Sequence, residues 1–548
     1  MRILFSLLLI LLISHSTFAQ KLEAENVYEI TGKANRGYLG DVTIDEPNND
    51  IALTFVTKSN DKMAKFETYH FDGTTYAFKK LDTDEEEFEK AKTKFKWFKY
   101  KGENYSVEAV TVERNLTGTL VLKRKLISYT WSWFWGGYDR DVKVLEKVKP
   151  KNDEGNKYYA WTAAENNQTG EVLVLVGPKA KIGAKDQDPN AYMKNFSILT
   201  INSDLDVTKE SKIDFQYPMM PMISNPIYDP DATSEDDADL SNSDWGLVFV
   251  PVGGPGMNKV ADPDFSDFTL VRVNGSNDLK QRTSFKPEYN LWGIQDMISS
   301  GNEVYLIGPA KKDDKYLNQI FPANMDDDAR TAAIEAMKWQ AFQIMKLTDT
   351  KVDYLKATSI DEFDAKLKTP PSQKKAPSYD GKKFAVVNFI RAANGDVLVM
   401  GQNFNQPKDG PRKYTDPVMF HFGSDGALKA QYGIRRDENN KYAEMAPSQQ
   451  DVFWKAGSST AYWMITEIKG VKSETELKNA KLKVLAYPSV AKIDIASGDV
   501  GDFVAFGQDQ YYLHNEHPYL PTSNKSKIVF FGESKGGKTL WFGRMPME

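Results

Sequence analysis

One strand-like phrase recurs along this chain and constrains its fold more than any other feature. The clear copies are TGEVLVLVGP (169–178), DWGLVFVPVG (244–253), GNEVYLIGP (301–309) and NGDVLVMGQ (394–402). The weaker copies are NDIALTFVT (49–57), NYSVEAVTV (104–112), TAYWMITE (460–467) and SKIVFFGES (526–534). Their mean spacing is about 68 residues, and regular self-similarity of this kind indicates a protein built from repeated structural units.

The segments around each copy alternate between apolar and polar residues, as half-buried strands do. Examples are AKFETYHFDGTTY (64–76), NFSILTINSDLDV (195–207) and PVMFHFGSDGAL (417–428), which follow a copy, and KFAVVNFIRAANGD (383–396), which leads into one. The Asp-Gly, Asn-Gly and Ser-Asp pairs between them tolerate positive φ and favour tight hairpin turns. Each unit is therefore predicted to contain four antiparallel strands.

Repeated four-stranded antiparallel units predict an all-β fold, a single β-propeller in which the sheets pack around one axis. We expect one domain of eight blades over residues 20–548, with seven blades as the alternative. The segment NVYEI (26–30) is a strand left over before the first unit, and the C-terminal unit is one strand short. Pairing the two would close the ring and remove an exposed edge. Over most of the chain the phrases resemble those of exported bacterial β-propellers with broadly Kelch-like blades.

Two long insertions interrupt the repeat, at 309–338 and 357–383. In the first, NMDDDARTAAIEAMKWQAF predicts a helix, because Asn and Asp favour an N-cap and acidic residues suit the first turn. This helix is expected to cover the ends of the sheets, with Ile334, Met337 and Lys338 on one side. The second insertion predicts a short helix before a loop rich in Pro and Lys. Insertions on one face of a repeat protein often mark its binding face.

Residues 1–19 are expected to form a secretory signal peptide. Arg2 precedes an apolar run, and the small residues Thr17 and Ala19 predict cleavage before Gln20. The run is shorter than the ~20 residues that cross a bilayer, so no membrane span is expected. The chain contains no cysteine, which excludes disulfides, thiol catalysis and thiolate metal sites. These features indicate a periplasmic or extracellular protein.

The segment SYTWSWFWGGYDRD (128–141) predicts a hairpin with one aromatic face. Gly136-Gly137 fits a two-residue turn, which would set Trp133 opposite Arg140. The residues of this face that are candidates for docking a protein or a glycan are Tyr129, Trp131, Trp133, Trp135, Tyr138 and Arg140. Trp, Tyr and Arg are frequent interface anchors, and sugar stacking needs a similar platform. Packing of the aromatic side chains between blades is the alternative.

The acidic loop DPDATSEDDADLSNSD (229–244) offers the oxygen ligands that Ca²⁺ prefers. The candidate ligands are Asp229, Asp231, Asp236 and Asp237. Because the loop has neither the Gly nor the Glu of an EF-hand at the required positions, a solvated loop without a cofactor is the main expectation, and calcium is the alternative. His514 and His517 would need a third ligand to hold zinc.

The sequence contains no catalytic constellation to which roles can be assigned, and no G-x-S-x-G elbow. Its net charge of −6 gives no electrostatic case for binding nucleic acid. We therefore expect a non-enzymatic exported propeller that binds a protein partner, such as an accessory subunit of an outer-membrane secretion or transport assembly. The alternative is a glycan-binding or glycan-hydrolysing propeller, whose site would be dispersed in sequence. A scaffold stabilised by calcium is the third hypothesis.

Overall fold

The chain divides into two compact units, unit 1 (Met1–Glu89 and Asp361–Glu548) and unit 2 (Lys90–Ile360). The structure, a computed structural model, describes residues 20–59, 63–87, 105–115, 118–132, 137–152, 154–177, 193–229, 237–253, 263–321, 325–349, 351–406, 412–436, 447–455, 457–468, 485–507, 510–514, 517–522 and 526–548. The expectation of one domain over residues 20–548 stays a prediction.

The elements are almost all strands. The N-terminal part of unit 1 contains β1 (Ala24–Glu29), α1 (Gly32–Arg36), β2 (Tyr38–Asp45), β3 (Asp50–Ser59), β4 (Met63–Asp72) and β5 (Phe78–Glu87). Unit 2 contains β6 (Tyr105–Arg114), β7 (Leu120–Ser132), β8 (Gly137–Val148), β9 (Tyr159–Glu165), β10 (Val172–Gly177), β11 (Asn195–Ile201), β12 (Val207–Asp214), β13 (Met219–Ile227), β14 (Asp244–Pro251), a 3₁₀ turn (Pro263–Phe265), β15 (Phe268–Val273), β16 (Leu279–Phe285), β17 (Leu291–Trp292), β18 (Asp296–Ser300), β19 (Glu303–Lys311), a 3₁₀ turn (Leu317–Gln319), α2 (Asp327–Ala336), β20 (Ala341–Leu347) and β21 (Val352–Ser359). The chain continues with α3 (Ile360–Ala365), and the C-terminal part of unit 1 then contains β22 (Leu367–Lys368), β23 (Phe384–Arg391), β24 (Val397–Asn405), β25 (Lys413–Phe422), β26 (Leu428–Gly433), β27 (Gln450–Trp454), β28 (Thr460–Ile468), β29 (Ala486–Asp494), β30 (Val504–Ala505), β31 (Tyr511–Leu513), β32 (Tyr519–Pro521), β33 (Lys527–Ser534) and β34 (Thr539–Pro546).

The described residues of unit 1 form four sheets. Their strand orders are β2-β3-β4-β5, β22-β26-β25-β24-β23, β27-β28-β29-β30 and β1-β34-β33-β31, with β32 also paired to β33. As predicted, the N-terminal strand joins the last unit, because β1 pairs antiparallel with β34 and sets Val27 opposite Trp541. The indole Nε1 of Trp541 also donates to Glu25 Oε1 at 2.6 Å. The pairing covers the edge that β34 would otherwise expose.

The described residues of unit 2 also form four sheets, in which neighbouring strands run antiparallel. Their orders are β6-β7-β8, β12-β11-β10-β9, β13-β14-β15-β16 and β17-β19-β20-β21, with β18 also paired to β19. The repeated phrase forms interior strands here, and each residue from Val172 to Val176 in β10 is at most 3% exposed. A continuous apolar run suits a strand that is covered on both faces.

These sheets confirm the predicted all-β class, with four-stranded antiparallel sheets of the β-propeller-like kind. The number of blades and the closure of a ring stay predictions. Among the described residues, no helix combines the length and the apolar character that crossing a membrane requires.

The last two sheets of unit 2 share an apolar core. Val248 and Leu270 from one sheet and Leu306 and Met345 from the other belong to a single cluster of buried residues. Trp292 is fully buried in the same cluster. Burying each side chain of this size contributes about 1.5–3 kcal/mol, so this contact holds the two sheets firmly together.

The aromatic hairpin, β7 and β8, has a register different from the predicted one. Trp131 pairs with Tyr138, whereas a two-residue turn at Gly136-Gly137 would have set Trp131 opposite Val142. Gly137 pairs with Ser132 within the sheet, so the predicted turn at Gly136-Gly137 is wrong. The observed register differs from the predicted one by an even number of residues. The alternation of residues between the two faces of each strand is therefore the same in both registers.

Candidate functional site

A cavity of about 220 Å³ lies in unit 2, where the first strands of successive sheets meet an inserted helix. Its lining comes from Arg114 at the end of β6, 161–162 in β9, 221–225 in β13, 294–295 just before β18, and one side of α2. Because these segments lie far apart in the chain, only the fold brings their side chains together.

The edge strands around this cavity are joined by side chains. Thr162 Oγ1 in β9 and Ser224 Oγ in β13 lie 2.9 Å apart. Asn225 Nδ2 in β13 donates to the carbonyl of Met297 in β18 at 2.9 Å. Hydroxyl and amide groups therefore converge on the cavity from neighbouring sheets, where they also satisfy backbone groups at the sheet edges.

Helix α2 lies within the predicted insertion at 309–338 and covers one side of the cavity. It begins as expected, because the Asp326 side chain caps it by accepting from Ala329 N at 2.8 Å. Ile334 is 2% exposed, and a Cβ at Gly293 would lie only 2.9 Å from its Cγ2. The absence of a side chain at Gly293 therefore permits the helix to pack this closely.

Arg330 carries the buried charge of the cavity. Although it is only 8% exposed, its Nη1 donates to the carbonyl of Met222 at 3.0 Å and its Nη2 to that of Met325 at 3.3 Å. These bonds fix the position of the guanidinium. The sequence analysis did not select Arg330. A cation in the first turn of a helix opposes the helix dipole, and this unfavourable position is a signal that could have identified it.

Trp161 supplies an aromatic ring to the cavity. It is half-buried and meets Phe196 edge to face, with the ring centroids 6.1 Å apart. Its Nε1 is buried and makes no hydrogen bond with the described residues. A single Trp in the strand YAWTAAE gives no sequence pattern that separates it from an ordinary core residue, which is why sequence reasoning did not select it.

The cavity combines hydrogen-bonding groups with an apolar surface. The described lining residues include two arginines, two threonines, a serine and two amides, beside Trp161 and several aliphatic side chains. None of these described lining residues is acidic. Such a site can bind a small polar ligand through a few convergent polar groups. An apolar face of the ligand would then pack against the Trp161 ring and the aliphatic side chains.

A second polar cluster is buried in unit 1, at Asp396. Its carboxylate lies 2.8 Å from His421 Nε2 and 2.8 Å from Lys429 Nζ. Burial acts to raise the pKa of Asp396, but the hydrogen bonds and charges of His421 and Lys429 outweigh it and lower this pKa to about 2. The ionised carboxylate only accepts, so His421 Nε2 carries the proton. The side chains of Asp396 and His421 are 2% and 1% exposed, which favours a structural role.

The structure covers the predicted docking patch only in part. Tyr129 is half-buried and Arg140 is exposed, and neither lines the cavity. The side chains of Trp131 and Tyr138, together with residues Trp133 and Trp135, lie outside the described residues. The patch stays a prediction.

The predicted calcium ligands are also covered in part. Asp231 and Asp236 lie outside the described residues, and the carbonyl of Asp237 accepts from Asn242 Nδ2 at 3.2 Å. Within the described ranges no three His, Asp or Glu side chains are grouped so as to hold a metal ion. Asp229 and Asp237 therefore stay predicted ligands. The rings of His514 and His517 stack with centroids 5.9 Å apart.

No family model matches the chain, and no curated protein matches its sequence. Several solved structures are similar to it at low identity. Apocarotenoid oxygenase from Synechocystis, in a cobalt-substituted form, aligns with a TM-score of 0.28 and 10% identity over 81% of this chain and 90% of that one. The exo-β-1,3-galactanase of Phanerochaete chrysosporium gives a TM-score of 0.20 and 13% identity over 65% and 69%. A rhamnogalacturonan lyase gives 0.23 and 8% over 91% and 88%.

Two predictions are wrong against these comparisons. The similar structures named above are an oxygenase, a galactanase and a lyase, which contradicts the expectation of a non-enzymatic propeller that binds a protein partner. The oxygenase has been solved with cobalt, which contradicts the expectation that no cofactor is bound. At TM-scores this low, none of these structures assigns a substrate or a metal to this chain.

Proposed function

We propose that this protein acts on glycans and that the cavity of unit 2 binds one sugar residue. The observation that carries the proposal is the placement of the Trp161 ring beside the Thr162 and Ser224 hydroxyls and the Asn225 amide in one small cavity. A sugar ring has matching chemistry, because its hydroxyls need hydrogen-bond partners and its C–H face packs against aromatic rings.

The size of the cavity supports a single ring as the bound unit. Its volume of about 220 Å³ is below the ~300–1,000 Å³ of sites for drug-sized ligands. A longer glycan would place one residue in the cavity and extend from it into solvent. The exposed side chains of Arg114 and Thr331 at the lining suit contact with such an extension.

Calorimetric titration with a panel of oligosaccharides tests the proposal, with a hydrolysis screen on the same panel. We expect at least one glycan to bind to the native protein and the Trp161→Ala variant to lose about tenfold or more in affinity, because stacking area is removed. Trp454→Ala is the matched control, since Trp454 is a half-buried tryptophan of unit 1 and does not line the cavity. Thermal unfolding of both variants checks that they fold.

Failure of every glycan to bind to the folded native protein would overturn the proposal. Equal loss of affinity in the Trp161 and Trp454 variants would remove the cavity as the site. Retained affinity in a folded Trp161→Ala protein would have the same meaning.

We also propose that the protein is an exported bacterial propeller with broadly Kelch-like blades, which acts in the periplasm or outside the cell. The n-region, apolar run and small residues of positions 1–19 support this proposal. Mass spectrometry of the protein recovered from a bacterial envelope should give a chain that begins at Gln20. A chain that retains residues 1–19 would contradict export by cleavage.

A further inference from the structure

We propose that two copies of this protein pair through the outer edge of β8 and form a symmetric dimer. Among the described residues the sheet β6-β7-β8 contains three strands, and β8 lies at its edge. An edge strand carries unpaired backbone N–H and C=O groups, which can pair with a strand of another chain. The proposal goes beyond the proposed function, because none of the described lining residues of the unit 2 cavity comes from β8.

The edge of β8 is long and exposed. The strand contains 12 residues, about twice the usual length, and every residue from Arg140 to Lys147 is exposed. From Arg140 to Val144 the pairing with β7 is continuous, and the register shifts only beyond Val144. Natural sheets often protect an edge with a bulge or a very short strand, and this stretch has neither. It can therefore receive a second strand along its length.

One face of this edge exposes valine side chains to solvent. Val142 lies opposite Ile127 and Val144 opposite Lys125, so both valines point to the same face of the sheet. Their exposed fractions are 40% and 46%. In an antiparallel dimer centred on Val142, the two copies of this valine lie side by side. Each Val144 then lies beside Arg140 of the second copy, whose aliphatic stem covers it. Pairing therefore removes apolar surface from water.

The other face of the edge carries two opposite charges. Asp141 lies opposite Ser128 and Lys143 opposite Leu126, and both charged side chains are exposed. The Asp141 carboxylate accepts a hydrogen bond from the backbone N–H of Val142 at 3.0 Å, which leaves its charge in place. Neither charged group forms an ion pair with another described residue. Both charges are therefore available to a second copy.

These charges select the register of the dimer. A two-fold axis between identical antiparallel strands sets one residue opposite its own copy. With Val142 on the axis, each Asp141 lies opposite Lys143 of the second copy, which gives two attractive pairs. With Lys143 on the axis two lysines oppose each other, and with Asp141 on the axis two aspartates do, which is unfavourable. Of these three registers, the one centred on Val142 has matched charges.

Disulfide trapping tests this register directly, because the chain contains no cysteine of its own. Directly opposed residues of antiparallel strands have Cα atoms about 4.5–5.5 Å apart, which a disulfide can bridge. We expect Val142→Cys to form a covalent dimer under mild oxidation. Lys147→Cys is the matched control, since it is exposed on the same strand, and it should stay uncrosslinked. Its two copies would lie roughly 30 Å apart in this register.

Analytical ultracentrifugation measures the dimer without a crosslink. Interfaces of this small size are weak, so we expect a dissociation constant of about 1–100 μM. Lys143→Asp and Asp141→Lys should each weaken the dimer about tenfold or more, because each variant opposes like charges twice. An equimolar mixture of the two variants should regain the native affinity, since the lysines of one copy then face the aspartates of the other. Lys212→Asp, at an exposed lysine of β12, is the matched control and should change the affinity less than about twofold.

The charge variants should keep the native unfolding temperature, because both positions are exposed. A native protein that stays monomeric at every concentration would overturn the proposal. Equal crosslinking of the two cysteine variants would also overturn it, since contact would then not depend on the register. Folded charge variants that dimerise as tightly as the native protein, or a mixture that fails to regain its affinity, would have the same meaning.

Discussion

Replacement of Asp396 by Asn tests the electrostatic account of the unit 1 core. The carboxylate is 2% exposed and pairs at 2.8 Å with both His421 and Lys429. Its pKa falls from an ordinary 3.8 to about 2 in the folded chain. That difference corresponds to about 2–3 kcal/mol of folding free energy. We therefore expect Asp396→Asn to lower the free energy of unfolding of this sheet by about 2–3 kcal/mol at neutral pH.

The pH dependence of this effect has a defined sign. A carboxyl group whose pKa is lower in the folded state stabilises the protein fully above its unfolded pKa, near 3.8. The stabilisation is lost as the pH falls through the folded value of about 2. The stability difference between the native protein and the Asn variant should therefore shrink between about pH 4 and pH 2.

Hydrogen exchange read by mass spectrometry on peptides from 397–433 measures the local free energy of opening. Asp425→Asn is the control, because Asp425 is an exposed carboxylate in the hairpin turn between β25 and β26. It should change the stability by less than about 0.5 kcal/mol. The reasoning is refuted if Asp396→Asn matches this control at neutral pH, or if its effect does not depend on pH.

Three further outcomes follow from contacts in unit 2. Gly308→Ala should destabilise the unit by about 3 kcal/mol in a calorimetric scan, because the added Cβ would lie 2.1 Å from the carbonyl oxygen of Gly293. A loss of stability below about 0.5 kcal/mol would contradict this packing. Asp326→Ala should weaken α2 by about 1 kcal/mol through loss of its cap, as read from amide exchange at 329–336, whereas Asp326→Asn should keep most of that protection. Ile334→Ala should cost about 2–4 kcal/mol in thermal unfolding, since it empties a buried position beneath α2, and an unchanged unfolding temperature would show that the helix is not packed there.

The sequence predicted the strands well because apolar periodicity is a local signal. The phrase GNEVYLIGP became β19 and TGEVLVLVGP became β10, since continuous apolar runs between turn residues suit covered strands. The pairing of β1 with the last strand was also predictable, because an unpaired strand at each end of a repeat leaves two complementary edges.

The register of the aromatic hairpin was not predictable from its turn residues. Gly136-Gly137 satisfies a two-residue turn, but Gly137 pairs with Ser132 within the sheet. Both registers keep the same alternation of faces, so the hydrophobic pattern could not distinguish them. Turn composition alone therefore leaves the register of a hairpin open.

The candidate site was invisible in the sequence because tertiary contacts create it. Arg330 bonds to the carbonyl of Met222, 108 residues away, and no local pattern encodes that distance. The helix that carries Arg330 was predicted together with its N-cap. The apolar pattern of this helix selects Ile334 and not Arg330. Thr162 and Ser224 are ordinary strand residues until two sheet edges meet.

The most direct test of the account is a crystal structure of the protein with the oligosaccharide of the panel that binds most tightly. We expect one sugar ring in the unit 2 cavity, with its C–H face against the Trp161 ring. An oligosaccharide bound elsewhere while this cavity holds only solvent would contradict the central claim.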